Sequence, residues 1–347
     1  GLGVSTEQLK SQTVFEETLG WDFKNTWTWD DEAGRPLLKD NVERIDDRGD
    51  QKPPLAKNEQ GYYLITSVQD LETIDDYPDE KYLLQDDLDF AGKTLKPLAT
   101  DTPFTGIFDG NGKKIFHMTS TKGGLFNLNG GTIKNVGLVD AEVTGEVSSP
   151  QTGILVNLNS GTVENSFSTG KVVGNNTVGG LVGYSNKVIK NSFSTADVTA
   201  NVSQAGGLVG ITNSGSLTEN VYATGAVSAL KSNAGGITGY GYNGTVVKNV
   251  IALNPSVTAP TSANRVMGRV LSGHKATLEN NFAYAEMVVD REGVSQDSPT
   301  SLKGMGLSQA EIEDPSTYSE RLGWDFASVW TWNESEKRPV LKSFTGK

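Results

Sequence analysis

The chain has no cysteine, which excludes disulfides, thiolate metal sites and a cysteine nucleophile. Only two histidines occur, His117 and His274. Neither has a second histidine four residues on, so the HExxH helix of a zinc peptidase is absent. No GxSxG string lies beside them to build a Ser-His-Asp relay. Basic residues are too few: 30 Lys and Arg against 42 Asp and Glu leave a net charge of -12. Nucleic acid and anionic lipid are therefore poor partners, because phosphate recognition needs clustered cations. No apolar run reaches the length of a membrane-spanning helix, so no membrane insertion is expected. No secretory leader precedes Gly1, and a chain opening on glycine is expected to be a trimmed piece of a longer one.

What is abundant is glycine, 40 residues, and it recurs in phrase. From Gly123 to about Tyr284 a glycine or glycine pair, two apolar residues and a polar turn lead into an apolar-x-Asn step, six times over. The clearest copies are GGLVGYSNKVIKNSFSTADV from Gly179 and GGLVGITNSGSLTENVYATGAV from Gly206; a worn copy begins at Met267. The asparagines closing the step are Asn135, Asn165, Asn191, Asn220, Asn249 and Asn280, separated by 30, 26, 29, 29 and 31 residues. A period of that length marks a solenoid. Short runs such as Leu181-Val182, Val188-Ile189 and Val198 read as three strands per copy. No copy holds ten residues of helical period. Three short strands cannot bury an apolar side alone, so the copies stack into a parallel β-helix, of either hand. Stacking places like residues above one another, which suits an amide that both donates and accepts. The six asparagines are accordingly expected to form an inward or corner-turning ladder, with the glycine pairs at corners of positive φ or close backbone approach.

These copies resemble the GLUG motif, written here as Gly180-Leu181-Val182-Gly183 and Gly207-Leu208-Val209-Gly210. The lead-in YYLITSVQDLETI, KYLLQDDLDFAGKTLKPLA and FTGIFDGNGKKI is similar to that of the non-catalytic N-terminal regions of immunoglobulin A1 metallopeptidases. The resemblance spans about Gly61 to Tyr284. It implies a secreted or cell-surface bacterial protein with no cofactor and no catalytic or metal-binding residues in this region, and says little about activity.

The two ends repeat each other. LGWDFKNTWTWDDEAGRPLLK from Leu19 matches LGWDFASVWTWNESEKRPVLK from Leu322 at a constant offset of 303, and the two copies contain all six tryptophans. Each reads as a short amphipathic helix, a Trp-bearing strand and a proline-closed turn. Such repetition implies a slice of a longer array, with the N-terminal copy capping a preceding solenoid and the C-terminal one covering the end of this solenoid. Trp27 and Trp29, two apart on one strand, suit either a carbohydrate-stacking platform or a small core, and core is preferred. The divisions expected are a Trp-rich module over 1–39, a linker over 40–58, an N-terminal cap over 59–103, the β-helix over 104–289, a connecting loop over 290–302 and a second Trp-rich module over 303–347.

Inside the polar linker lies Arg48-Gly49-Asp50, which resembles the RGD tripeptide that integrins read; it is the candidate partner-binding site, though short motifs of this kind arise by chance. In the cap, Ser67 and Asp70 read as a helix start, Tyr82 to Leu84 and Leu95 to Leu98 as strands, and Asp109-Gly110-Asn111-Gly112 as a tight turn. Asp86, Asp87 and Asp89, with Asp75, Asp76, Asp79 and Glu80, offer oxygen ligands but lack the spacing of a calcium loop, so a solvated acidic loop is preferred. Glu164, Glu219 and Glu279 share one position and alternate with Lys134, Lys190 and Lys248, a pattern of a charge-balanced face rather than of the paired carboxylates of a polysaccharide-active β-helix enzyme. The insertions Glu146 to Thr152, Ser228 to Ala234 and Pro255 to Asn264 are expected on one side of a rod about 29 Å long at about 4.8 Å per coil. The reading is therefore an all-β chain, a parallel β-helix of about six coils with a small α+β cap and flanking Trp-rich modules, that spaces, presents or binds a host protein or glycan. The alternatives are a carbohydrate-binding module and a polysaccharide-active enzyme.

Overall fold

A computed structural model describes residues 8–24, 26–30, 34–38, 53–290 and 297–345. The chain divides into two compact units, Gly1–Pro54 and Leu55–Lys347.

In the larger unit every repeat forms one coil of a parallel β-solenoid. The coil that opens at Gly179 shows the pattern: strands Thr177–Gly179, Val182–Ser185, Val188–Lys190, Phe193–Ser194 and Asp197–Ala200. That is five short strands instead of the expected three, because the Gly180-Leu181, Asn186-Lys187, Asn191-Ser192 and Thr195-Ala196 steps each turn the chain. Every strand pairs in parallel with its counterpart one coil on, Val182 with Val209, Ile189 with Thr218, Phe193 with Tyr222. The apolar side chains turned inward form one continuous core from Tyr63 to Met287. The glycine pairs answer to close approach, joined at Gly123 by a positive φ of 107°: a Cβ on Gly180 would lie 2.2 Å from the carbonyl oxygen of Gly207 in the next coil, so only glycine fits there.

The cap continues the stack. Tyr63–Ile65 pairs in parallel with Lys81–Leu84, which pairs with Ile107–Asp109. Ser67 and Asp70 reciprocate as a helix start: the Asp70 N–H donates to Ser67 Oγ, and Asp70 Oδ2 accepts from the Ser67 and Thr66 N–H groups. Burial opposes the Asp70 charge, but the bonds from Thr66 and Ser67 outweigh it and hold the carboxyl below its ordinary value. The tight turn at Asp109-Gly110-Asn111-Gly112 is a corner inside the strand Ile107–Phe116, whose two halves pair in parallel with the same long strand, Thr132–Thr144. The DG and NG pairs that signal a two-residue turn supply the same positive φ that a solenoid corner needs, 53° at Asn111 and 72° at Gly112. Leu95 to Leu98 is not a strand but a segment tied by isolated bridges at Thr94 and Leu98.

The far end of the solenoid is covered by the connecting loop and the first residues of the 303–347 module, not by its tryptophans. Met305–Leu307 pairs with Phe282–Tyr284, and the Val266 and Met267 N–H groups donate to the Leu302 carbonyl, so residues 297–307 seal the last coil. An exposed final edge would invite strand addition from another chain. The rest of the module, from Ser308 onward, lies against the solenoid flank.

Candidate interaction surface

The six repeat asparagines stand at one corner, all with φ between 49° and 53°, a left-handed conformation that asparagine tolerates better than other branched or bulky residues. Their amides link coil to coil at four steps, while Asn165 Oδ1 and Asn220 Oδ1 accept no hydrogen bond. Asn135 Nδ2 donates to Asp109 Oδ1 at 3.0 Å, Asn165 Nδ2 to Asn135 Oδ1 at 3.3 Å, Asn220 Nδ2 to Asn191 Oδ1 at 3.1 Å and Asn280 Nδ2 to Asn249 Oδ1 at 2.9 Å. One position before them the charges alternate. Lys134 meets Asp109 at 3.2 Å, Lys190 meets Glu164 at 2.9 Å and Lys248 meets Glu219 at 3.1 Å. Burial works against the Lys134 charge, but attraction to Asp109 prevails and raises its pKa.

Three acidic residues of the cap are drawn into turns. Asp75 Oδ1 accepts from the Ala99 N–H at 2.6 Å, Asp87 Oδ1 from the Lys114 N–H at 2.7 Å, and Asp89 Oδ1 from the Ala91 N–H and His117 Nδ1, both at 2.9 Å. That last contact raises the His117 pKa and, with the Ala91 bond, lowers that of Asp89. Among the described residues no three His, Cys, Asp or Glu side chains converge to hold a metal ion. Arg48-Gly49-Asp50 lies outside the described residues.

The loops that lead into the five-stranded sheet, Gln151–Gly153 to Ser262–Asn264, stack at a different corner. Asn175 Nδ2 donates to the Val147 carbonyl, the Val202 N–H to the Asn175 carbonyl, the Leu230 N–H to the Ala200 carbonyl and the Thr261 N–H to the Ser232 carbonyl. These bonds make one ladder-tied edge of the rod. Pro255 to Asn264 contributes less loop than expected, since 256–258 and 262–264 are strands. What the sequence reading passed over is the composition of the edge. Val147, Val202 and Leu230 project from it with 84%, 39% and 58% of their surface exposed. Strand propensity was the wrong test for them; an apolar residue flanked by Gly, Ser, Asn and Lys between two strands was the available signal.

Also missed was a second row, two residues beyond each ladder asparagine: Phe167, Phe193, Tyr222, Ile251 and Phe282, aligned coil over coil. Phe167 and Phe193 stack with ring centres 4.8 Å apart, Phe193 and Tyr222 with 4.6 Å. The row faces outward, and the C-terminal module covers it. Trp324, Trp330, Tyr318, Leu322 and Leu341 are buried against it. Tyr222 Oη donates to the Pro339 carbonyl at 3.0 Å, Trp324 Nε1 to the Asn249 carbonyl at 2.9 Å and Asn280 Nδ2 to the Arg321 carbonyl at 2.8 Å. Below Phe167 the row begins with Gly137, where a Cβ would come within 2.3 Å of the Phe167 ring. The tryptophans of this module thus form a core rather than a sugar platform. In the N-terminal module Trp27 stacks on Trp21 at 4.3 Å, and Trp29 packs on Phe15 at 5.7 Å.

The fold is that of a parallel β-solenoid, and residues 174–199 match the family model described as the GLUG motif. Over 83% of the chain it superposes, with a TM-score of 0.70 and 23% identity, on 94% of the crystal structure of an immunoglobulin A1 protease candidate from Bacteroides ovatus. A further chain, described as IgA1 Protease, superposes with a TM-score of 0.49 at 17% identity, over 73% of this chain and 21% of its own. Halomucin of Haloquadratum walsbyi (strain DSM 16790 / HBSQ001) is 32% identical over 138 residues, 34% of this chain and 2% of halomucin. The chain is therefore a GLUG-bearing solenoid that resembles an immunoglobulin A1 protease chain in fold and spans a small fraction of its curated relative. Among the described residues no helix is long and apolar enough to cross a membrane.

Proposed function

We propose that the chain is a non-catalytic extracellular segment of a bacterial surface protein, a rigid spacer that offers its stacked-loop edge to a host protein. The observation that carries this reading is the set Val147, Val202 and Leu230, exposed on loops that hydrogen bonds fix to the rod. Loops held on a rigid scaffold lose little freedom on binding, and exposed apolar side chains on them gain by being covered. The fold-level likeness to an immunoglobulin A1 protease candidate supports an accessory role beside a catalytic region. Asp75, Asp87, Asp89, Asp109, Glu164 and Glu219 are engaged in ion pairs and turn closure, which leaves them poorly arranged as an acid–base pair. Arg48-Gly49-Asp50 is a lesser, separate site.

Attachment of the purified chain to host cells tests this. The Val147→Asp, Val202→Asp and Leu230→Asp triple variant is expected to lose attachment while its melting temperature stays within a few degrees, since exposed substitutions move stability by only about 0.5 kcal/mol. Loss confined to Asp50→Glu assigns binding to the tripeptide instead. Full attachment by both variants leaves a spacer alone. Cleavage of immunoglobulin A1 or of an acidic polysaccharide that survives repurification and vanishes on changing one carboxylate overturns the non-catalytic reading.

A further inference from the structure

The N-terminal and C-terminal modules are one structure built twice. Each carries a five-residue π-helical turn, Val14–Thr18 and Thr317–Arg321, then a two-stranded antiparallel ribbon, Trp27–Asp30 with Arg35–Leu38 and Trp330–Asn333 with Arg338–Leu341. Their aromatic geometry agrees ring by ring. Phe15 and Trp21 lie 5.0 Å apart at 57°, Tyr318 and Trp324 5.4 Å at 56°; Trp21 and Trp27 stack at 4.3 Å, Trp324 and Trp330 at 4.6 Å.

Their surroundings differ. Tyr318, Leu322, Trp324 and Trp330 are fully buried on the solenoid flank. Their counterparts Phe15, Trp21 and Trp27 are all partly exposed, and Leu19 has half its surface in solvent. A cluster of large aromatic and aliphatic side chains that keeps an outward face marks an interaction site, and here the mate of the same face is seen. We infer that the Phe15, Leu19, Trp21 and Trp27 face of the N-terminal module docks on the bare aromatic rungs of a second GLUG-type β-solenoid, one other than the solenoid of residues 55–347.

Three features make the face competent. The groups through which the C-terminal module bonds its flank have equivalents at the same offset: the Trp324 indole N–H in Trp21, the Pro339 carbonyl in Pro36, and the Arg321 carbonyl in Thr18. The rung row is a repeat-wide property, one side chain per coil two residues beyond the ladder asparagine, so any solenoid with the same phrase and an aromatic at that position presents the same surface. Lastly, the contacts at the ends of the flank do not recur. Phe344 meets the Phe167 ring at 4.8 Å and Arg321 sits over the Phe282 ring at 4.8 Å, whereas Asn41 and Thr18 hold the equivalent positions. The shared centre supplies docking, and the ends set which solenoid is chosen. This inference rests on the internal repeat and is independent of the loop-edge reading.

The test keeps the full chain and exchanges faces. In one variant residues 308–342 are replaced by residues 5–39; in a second, Ile312→Leu, Tyr318→Phe and Val329→Thr alone convert apolar positions of the docked module to those of the N-terminal one. The docked state is read by limited proteolysis within the module and by tryptophan emission. The expected result is cleavage within about threefold of the parent rate and unshifted emission, because proteolysis follows the population of the open form. Introducing Trp324→Ala into either variant is expected to release the module and redden the emission. If the first variant does not fold, the triple variant decides. Release of the exchanged module while the solenoid keeps its far-ultraviolet dichroism overturns the inference. Concentration-dependent dimerisation of the unaltered chain that Trp21→Ala abolishes also overturns it, since the rungs of a second copy are already covered and the face would then be pairing with itself.

Discussion

Tyr222 shows at the scale of one residue how the flank is held. Its ring continues the stack from Phe193, its hydroxyl donates to the Pro339 carbonyl, and it is fully buried. Burial pushes its pKa well above the ordinary phenol value. The folded chain therefore keeps the phenol neutral where the unfolded chain ionises it. Stability is intact below about pH 10 and falls as pH rises above it toward the folded value, by up to about 1.4 kcal/mol per pH unit for one such group. Tyr222→Phe is expected to cost about 1 kcal/mol at neutral pH through the lost hydrogen bond. The deficit should shrink or reverse by pH 11. Denaturant midpoints of both proteins at pH 7 and pH 11 check this; a constant gap removes the buried phenol as the cause.

The ladder corner belongs to the scale of the element. Asn220 both holds φ at 53° and donates to Asn191 Oδ1. Asn220→Ala leaves that acceptor without its donor at a cost of about 1–3 kcal/mol, and a left-handed alanine adds about 1–2 kcal/mol. Asn220→Gly is expected to recover only the conformational share. Urea midpoints at constant slope separate the two contributions, and equal losses for Ala and Gly would make the amide bond the whole effect. The corner was legible because it recurs in chemistry: asparagine at every repeat, preceded by alternating charges. Asp109 was not legible as its first member, since Asp109-Gly110-Asn111-Gly112 satisfies the local rules for a hairpin turn and for a solenoid corner alike. A second amide row, Asn129 Nδ2 to Asn159 Oδ1 at 2.7 Å and Asn159 Nδ2 to Ser185 Oγ at 3.1 Å, escaped notice because it runs for only a few coils.

At the scale of the molecule, a solenoid and a module from the far end of the sequence share one aromatic cluster. Phe193→Ala removes the centre of the ring stack and is expected to cost about 3–5 kcal/mol, as ring deletion does in a packed core. It should also free the module before the coils melt. Limited proteolysis of this variant is expected to cut within 308–345 while the solenoid resists; simultaneous loss of both would make them one cooperative unit. By itself the sequence determined the repeat, the parallel stacking and the asparagine corner, because each follows from a period and from side chains that recur with it. Five strands in each coil from Thr177 onward, the seal over the last coil and the seat of the C-terminal module were decided only in the tertiary structure. An outward row of phenylalanine and tyrosine reads in one dimension as further strand; only its neighbour across the flank, 117 residues away between Tyr222 and Pro339, turns it into an interface.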